Sequence, residues 1–239
     1  MVESNICNNN CCTCKEDPCI EKIPLLSNLN KEELSQVSEG IITKEYKKGE
    51  YIFRTGDESD KLYIVCSGRM KIYKYLSDGR EQILYIYGSR DFVGAFNLLK
   101  KDKYKYNGVA LEDTTISTLS KESFDRIVIK NPNITLKILE KAYERIRWAE
   151  GLINVLSSGN ANAKVASLLL NLIEDFGTET KEGIKLNLSI NREEMGSYAG
   201  ITRETMTRKL REFKELGYID FEGNRKIILL QQDKLKEML

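Results

Sequence analysis

The chain has 239 residues, of which 41% are hydrophobic and 31% are charged, and its formal net charge is +1. These values are ordinary for a globular protein of one or two domains, and any binding of nucleic acid must depend on a local basic patch. The sequence contains no histidine, which excludes histidine-based catalysis, histidine haem ligation and histidine zinc sites.

Two further classes of protein are not expected: proteins that span a membrane or carry a signal sequence, and enzymes. No apolar run approaches the ~18 residues of a membrane span, and the N-terminus lacks the basic and apolar segments of a signal sequence. We therefore expect a cytoplasmic protein that contacts no membrane. No nucleophile and base stand in a pattern typical of catalysis, so we do not expect an enzyme.

Five of the six cysteines lie in the first nineteen residues, and the sixth is Cys66. Such crowding in a cytosolic protein argues against a disulfide scaffold and favours metal or redox chemistry. The spacing Cys11-x2-Cys14-x4-Cys19 brings three thiolates within reach of one site, and thiolates select zinc or iron–sulfur clusters. Zinc sites usually show two spaced pairs, whereas one is obvious here, so a cluster is favoured. Zinc, or a cysteine-rich tail of reactive thiols without metal, is the alternative.

Residues 44–129 contain short alternating apolar runs that are separated by glycine turns. Gly56 and Gly68 each end such a run, and Asp78-Gly79 is typical of a hairpin. Strands of this length and spacing predict a β-barrel or β-roll.

A long helix is predicted to begin at Asn131-Pro132, since proline is favoured in a first turn. Its apolar residues are spaced alternately by three and four, which predicts a heptad seam and a parallel homodimer. The alternative is a helix packed on its own domain. Beyond it we expect a helix over 163–175, a polar loop over 176–183 and a strand over 184–188. The seam consists of Leu139, Ala142, Ile146, Ala149, Ile153 and Leu156.

Residues 190–216 predict a helix, a tight turn and a second helix. Asn191 and Glu194 have the spacing of a capping box, Gly200 is typical of a helix C-cap, and Thr202 is a plausible N-cap for the second helix. The glycine-turn hairpin that follows, over 217–230, completes the pattern of a winged helix-turn-helix.

The second helix has two faces. Met206, Leu210 and Phe213 recur at the spacing of a buried stripe. The opposite face is therefore predicted to contact base edges in DNA, and Arg225 and Lys226 in the hairpin turn are predicted to contact phosphate. The alternative is an amphipathic helix pair with a solvated face. The predicted DNA-binding residues are Arg203, Glu204, Thr207 and Arg208.

The segment ITRETMTRKL resembles the C-terminal domain of the CRP/FNR transcription regulators, and residues 47–86 resemble the cyclic-nucleotide-type β-roll of that family. The resemblance implies an α+β fold with an N-terminal β-roll, a long dimerisation helix and a C-terminal winged helix-turn-helix. The expected divisions are a cysteine-rich segment at 1–22, a sensor domain at 23–130, a dimerisation helix at 131–158 and a DNA-binding domain at 159–239.

The cysteine spacing resembles that of FNR, whose oxygen sensors hold a 4Fe–4S cluster with three N-terminal cysteines and one in the sensor domain. Cys11, Cys14 and Cys19 match the three N-terminal ligands, with one residue fewer before the last. The fourth cysteine of the family falls where this chain has Ser117. We expect Cys66 to replace it, with Cys7, Cys12 or a non-cysteine ligand as alternatives.

Cyclic AMP binding is not expected. The family's cyclic-nucleotide sensors use a glutamate for the ribose and an arginine–serine pair for the phosphate. This chain has Ala95 at the first position and Lys105-Tyr106 at the second. Lysine offers charge but not the two-pronged hydrogen bonding of arginine.

Together these features predict a dimeric transcription regulator whose DNA affinity is controlled by an iron–sulfur cluster that senses nitric oxide or oxygen. The resemblance implies a palindromic site in double-stranded DNA, with TGA in each half, and RNA polymerase as a further partner. The combined pattern also resembles the HcpR group of clostridia, which answers nitrosative stress. The alternative function is a regulator gated by a small ligand in the β-roll, with the cysteines holding zinc or no metal.

Overall fold

The computed structural model describes residues 40–100, 102–157, 159–223 and 225–239, together with Leu26 and Glu32. Cys7, Cys11, Cys12, Cys14 and Cys19 lie outside the described residues. The described chain forms two compact units. One contains residues up to 71 together with 87–144, and the other contains residues 72–86 together with 145–239.

In the N-terminal half, eight strands of the described residues make two four-stranded sheets, in the orders β1-β8-β3-β6 and β2-β7-β4-β5. Strand β8 pairs with both β1 and β3 and buries Ile116, Ser117 and Leu119. The turn between β3 and β4 requires glycine, because Gly68 has a φ of +78° and a Cβ there would lie 2.5 Å from the Asp113 carbonyl oxygen. The strands are β1 (Ile41–Tyr46), β2 (Tyr51–Phe53), β3 (Lys61–Ser67), β4 (Met70–Tyr75), β5 (Glu81–Tyr87), β6 (Phe92–Val93), β7 (Asn107–Ala110) and β8 (Thr114–Ser120).

The helices described beside these strands are α1 (Ala95–Lys100), α2 (Lys121–Lys130) and α3 (Pro132–Ser157). Ser120 caps α2 by accepting a hydrogen bond from the backbone N–H of Ser123. Phe124 of α2 and Ile134 and Ile138 of α3 are buried in one apolar cluster with Leu62 and Ile64 of β3. The first two turns of α3 are therefore fixed by burial of apolar side chains.

The remainder of α3 exposes apolar side chains. Leu139, Ile146 and Ile153 of the predicted seam are 58%, 57% and 62% exposed. Leu136 and Tyr143 lie on the same stripe and are also exposed, so the stripe extends one turn further toward the N-terminus than the predicted seam. A stripe of this kind on a long helix is typical of a surface that is covered by another chain.

The C-terminal elements form a small α+β domain with a sheet in the order β11-β12-β10-β9. The segment 177–180, predicted as loop, is a strand that pairs with β10. All four of its residues are exposed, so no alternation of apolar residues marks it in the sequence. The elements are α4 (Ala161–Phe176), β9 (Gly177–Thr180), β10 (Gly183–Asn187), α5 (Arg192–Ala199), α6 (Arg203–Glu215), β11 (Ile219–Glu222), β12 (Lys226–Leu229) and α7 (Gln232–Lys236).

The observed order of strands and helices confirms the predicted α+β fold, with a β-roll first and a winged helix-turn-helix last. Among the helices that the structure describes, none is both long and apolar enough to cross a membrane.

Candidate nucleic-acid interface and sensor site

The turn between α5 and α6 is built as its sequence predicts. The Asn191 side chain accepts from the backbone N–H of Glu194, and the Glu194 carboxylate accepts from the backbone N–H of Asn191, which completes the capping box. Gly200 has a φ of +66° and ends α5. Thr202 then caps α6 by accepting from the backbone N–H of Thr205. These caps set where α6 starts and therefore which of its side chains face outward.

Helix α6 buries Met206, Leu210 and Phe213 completely and leaves the opposite side in solvent. Arg203, Glu204, Thr207 and Arg208, which we call the DNA-reading face, are all exposed. Thr207 donates a 2.8 Å hydrogen bond to the Arg203 carbonyl, so its hydroxyl hydrogen is already used within the helix. The pKa of Glu204 lies below its usual value because its own backbone N–H and the Thr202 hydroxyl stabilise the carboxylate.

The cations of α6 divide into paired and unpaired groups. Lys209 lies 2.6 Å from Glu212, and its side chain is mostly buried. Arg203, Arg208 and Arg211 are exposed and form no ion pair within the part of the chain that the structure describes. Arg211 was not among the predicted readers, although it lies three residues after Arg208 and therefore on a neighbouring surface of the helix. Three guanidinium groups are thus available to an anionic partner.

The two basic residues at the turn of the β11–β12 hairpin, which we call the wing, also differ in ion pairing. Lys226 lies 2.9 Å from the Glu222 carboxylate, and Lys185 also pairs with Glu222. Lys185 first, and then Lys226, holds the pKa of Glu222 below its usual value. Arg225 is exposed and has no ion pair among the described residues. Of the two predicted phosphate contacts, Arg225 is the more available.

Cys66 lies near the end of β3, where the register with β8 shifts between Val65 and Ser67. A bulge of this kind redirects a side chain. The Sγ atom of Cys66 is 3.1 Å from the Oγ atom of Ser117, which in turn lies 2.8 Å from the Thr43 hydroxyl. Ser117 is buried, whereas Cys66 is half-buried. The thiol therefore lies beside the position at which the resembling family has its fourth cysteine.

Aromatic rings occupy the interior of the β-roll beside the nucleotide-binding cassette, the segment from Phe92 to Tyr106 that contains Ala95 and Lys105. The rings of Phe53 and Tyr104 stack at 4.1 Å, and Tyr63 packs against both. A Cβ at Gly94 would lie 3.0 Å from the Tyr104 hydroxyl, so this ring lies directly against the cassette. Burial raises the pKa of the Tyr104 hydroxyl well above its usual value.

The three cassette positions singled out in the sequence are occupied by groups that have other partners. Ala95 is buried in the apolar cluster. Lys105 is exposed and lies 3.1 Å from the Asp102 carboxylate. The Tyr106 hydroxyl donates to Asn97, and its ring packs against Phe53. The basic group is therefore paired, and no carboxylate stands at the position of Ala95.

Two family models match the chain. The cyclic nucleotide-binding domain matches residues 43–131, and the Crp-like helix-turn-helix domain matches residues 163–238. Together they cover more than half of the sequence.

Curated relatives match over most of their length. The fumarate and nitrate reduction regulatory protein of Vibrio cholerae is 29% identical over 238 residues, which is 99% of this chain and 93% of that protein. The anaerobic regulatory protein of Bacillus subtilis is 27% identical over 215 residues, or 89% of this chain and 90% of that one. Both are named as regulators, not as enzymes.

Solved structures show the same fold. A CooA mutant from Carboxydothermus hydrogenoformans is 25% identical with a TM-score of 0.75, and the match covers 90% of this chain and 94% of that one. FixK2 from Bradyrhizobium japonicum is 25% identical with a TM-score of 0.73, over 83% of this chain and 96% of that one. With both domains matched in order, with relatives that are named as regulatory proteins and with the predicted fold in place, the chain belongs to the CRP/FNR family of transcription regulators.

Proposed function

We propose that this transcription regulator binds a palindromic DNA site as a homodimer, and that a cysteine-ligated iron–sulfur cluster controls its DNA affinity in response to nitric oxide or oxygen. The observation that carries the sensing part of this proposal is the position of Cys66, whose sulfur lies 3.1 Å from the Ser117 hydroxyl.

The DNA-reading face supports recognition of base edges in the major groove. Arg203 and Arg208 are exposed and unpaired within the described chain, and arginine can form two hydrogen bonds to guanine. Glu204 is exposed, and its carboxylate can accept a hydrogen bond from cytosine. Arginine and glutamate together suit a half-site that contains TGA. RNA polymerase is the further partner that such a regulator requires.

The exposed stripe of α3 supports the homodimer. Leu136, Leu139 and Ile146 are each more than half exposed, and their spacing of three and seven residues places them along one side of the helix. Two parallel copies would bury these side chains against each other. Two-fold symmetry would also present two copies of α6 to two half-sites about one DNA turn apart.

The residues proposed to hold the cluster are Cys11, Cys14, Cys19 and Cys66. Thiolates are the ligands of such clusters, and Cys66 is partly accessible at the end of a strand. The Ser117 hydroxyl lies within hydrogen-bonding distance of the Cys66 sulfur, and hydrogen bonds to sulfur tune the properties of a cluster. Of the four proposed ligands the structure describes Cys66, a half-buried thiol beside Ser117, and we propose that it takes the part of the cysteine that Ser117 replaces.

When bound, the cluster supplies reactivity toward nitric oxide and oxygen. Cys66 is two residues before Gly68, the turn into β4, so the thiol is joined through a short, sterically restricted segment to the β4–β5 hairpin. The names of the relatives, an anaerobic regulatory protein and a fumarate and nitrate reduction regulatory protein, support a role in anaerobic gene regulation. Nitric oxide is ranked before oxygen on the resemblance to the HcpR group.

The aromatic cluster argues against the alternative of a nucleotide-gated regulator. Tyr104 is buried against Gly94, and the Tyr106 hydroxyl is bonded to Asn97. A bound nucleotide would have to displace these rings and would find Lys105 paired with Asp102. We therefore propose that cyclic AMP does not bind.

The test is an anaerobic purification with iron and sulfide assays and a visible absorption spectrum, before and after addition of nitric oxide and then air. Stoichiometric iron and sulfide, with visible absorption that either gas removes, is the expected result. The gas that acts at the lower dose identifies the signal. A colourless protein without iron or sulfide, even after anaerobic reconstitution, would contradict the cluster, and zinc in its place would support the alternative.

A further inference from the structure

The β4–β5 hairpin contacts the helix-turn-helix within the second compact unit. β5 is an edge strand among the described residues, so its outer backbone groups need partners beyond the sheet. Ser197 of α5 supplies them: its hydroxyl donates to the Glu81 carbonyl at 2.5 Å and accepts from the Ile83 backbone N–H at 3.2 Å. One hydroxyl thus joins two backbone groups of the strand edge to α5.

Aromatic rings extend this contact to helix α3. Trp148 packs edge-on against Tyr85 of β5, with ring centroids 5.4 Å apart, and stacks on Tyr198 of α5 at 5.6 Å. The Gln82 side-chain amide also lies 3.5 Å from the Tyr198 carbonyl. We call Glu81, Ile83, Tyr85, Trp148, Ser197 and Tyr198 the hairpin junction.

The hairpin junction leaves the DNA-reading face uncovered, since Arg203, Glu204 and Arg208 are exposed. It nevertheless fixes the helix on which α6 rests. A Cβ at Gly196 would lie 2.8 Å from the Ile201 carbonyl, so α5 and the start of α6 are in close contact. Close-packed elements move together, and a shift of α5 must therefore also shift α6.

We propose that Ser197 is a positioning residue through which the β4–β5 hairpin sets the orientation of α6. This inference rests on the DNA-binding function proposed above and goes beyond it, because it names the contact that transmits a change in the sensor. In a dimer the two copies of α6 must match half-sites about one turn apart, so a small rotation at each junction changes affinity for all such sites. The junction itself contacts no base, and its loss should leave base preference unchanged.

Trp148 is the single tryptophan of the chain and therefore reports directly on the junction. The experiment compares the full-length protein with three variants, Ser197→Ala, Ser197→Thr and Gln82→Ala. Thr178→Ala serves as the matched control, since Thr178 is exposed on β9. Trp148 emission is recorded without DNA. Affinity is then measured for a duplex that the unchanged protein selects from a randomised pool, and for the same duplex with one half-site base changed.

Ser197→Ala is expected to shift Trp148 emission toward the red and to weaken binding by about fivefold on both duplexes, as befits the loss of one hydrogen-bonding group. Ser197→Thr keeps the hydroxyl and should recover the unchanged values, and Thr178→Ala should match them. Should Ser197→Ala fail to fold, Gln82→Ala tests the proposal instead. Gln82 lies on the hairpin, and its loss should weaken binding to both duplexes equally, by about twofold.

Unchanged emission and affinity in Ser197→Ala, or a loss confined to one duplex, would overturn the proposal. All proteins are compared with their iron content measured and equal, so a failure of the cluster proposal leaves this comparison intact. A failure of the DNA-binding proposal is recognised separately, because the unchanged protein would then select no duplex.

Discussion

The DNA-reading face and the Cys66 site are built in opposite ways. The reading face comes from one short helix, and caps at Asn191 and Thr202 within the same segment determine which side chains point outward. The Cys66 site joins residues 51 positions apart, through the pairing of β3 with β8. The first kind of site can be predicted from local spacing, whereas the second depends on strand register.

The two sites also differ in exposure. Arg203 and Arg208 extend into solvent without ion pairs among the described residues, as suits recognition of an external partner. The Cys66 thiol is half-buried beside the buried Ser117 hydroxyl. Partial burial limits which small molecules reach the sulfur and allows a neighbouring hydroxyl to tune it.

The largest expected effect tests whether Cys66 has taken the place of the missing cysteine. Cys66→Ser should abolish stoichiometric iron and sulfide, because sulfur is the preferred ligand of such clusters. Combining it with Ser117→Cys should restore both, since Ser117 Oγ lies 3.1 Å from the present sulfur. Iron and sulfide assays on anaerobic protein measure the outcome.

Cys7→Ser and Cys12→Ser are the controls for that experiment and should keep the cluster. Full iron and sulfide in Cys66→Ser, with loss in either control variant, would assign the fourth ligand to the N-terminal segment. The comparison between a local and a non-local site would then break down, because every ligand would come from one stretch of chain.

The next effect concerns the stripe on α3. Ile146→Asp places a charge on a side chain that is 57% exposed in the single chain and that we propose is buried between two copies. The variant should be monomeric in sedimentation and should lose most of its affinity for a two-half-site duplex. Asn133→Asp adds the same charge at an exposed position outside the stripe, and it should stay dimeric. Dimeric Ile146→Asp protein would contradict the proposed interface.

The sequence predicts more of the local DNA-reading face than of the non-local Cys66 site. The sequence correctly predicts the caps of α5 and α6, the glycine in the turn between them and the buried stripe of α6. Each of these features depends on residues only a few positions apart. The sequence alone does not show that Lys209, next to Arg208, is mostly buried and pairs with Glu212. Sequence spacing predicts the face of the helix to which a residue belongs, but a long lysine side chain can bend along the helix surface.

Non-local features are predicted less completely. Cys66 was favoured only because it lies in the β-domain, and its closeness to Ser117 required the β3–β8 register and the bulge. Ser197 gave no signal, because its partners are backbone groups of residues 114 and 116 positions earlier in the chain. Backbone partners leave no mark on residue type, so no sequence pattern identifies them.

A smaller effect distinguishes base recognition from phosphate contact on α6. Arg208→Ala should cost ~1–3 kcal/mol of binding free energy and relax discrimination at one base pair. Arg211→Ala is the matched change, since Arg211 is also exposed and without an ion pair among the described residues. It should weaken all duplexes alike and lower the salt slope by about one. Equal weakening of all sequences by Arg208→Ala would refute its assignment as a reader.

The smallest expected effect lies in the wing and separates two adjacent basic residues. Arg225 is exposed without an ion pair in the described chain, so Arg225→Ala should lower the slope of log affinity against log salt by about one if it neutralises one phosphate. Lys226 lies 2.9 Å from Glu222, which also pairs with Lys185. Its charge is already partly neutralised, so Lys226→Ala should change the slope by well under one unit. Equal slopes for the two variants would mean that DNA displaces the Glu222 contact, and that ion pairing in the free protein does not determine which cations reach phosphate.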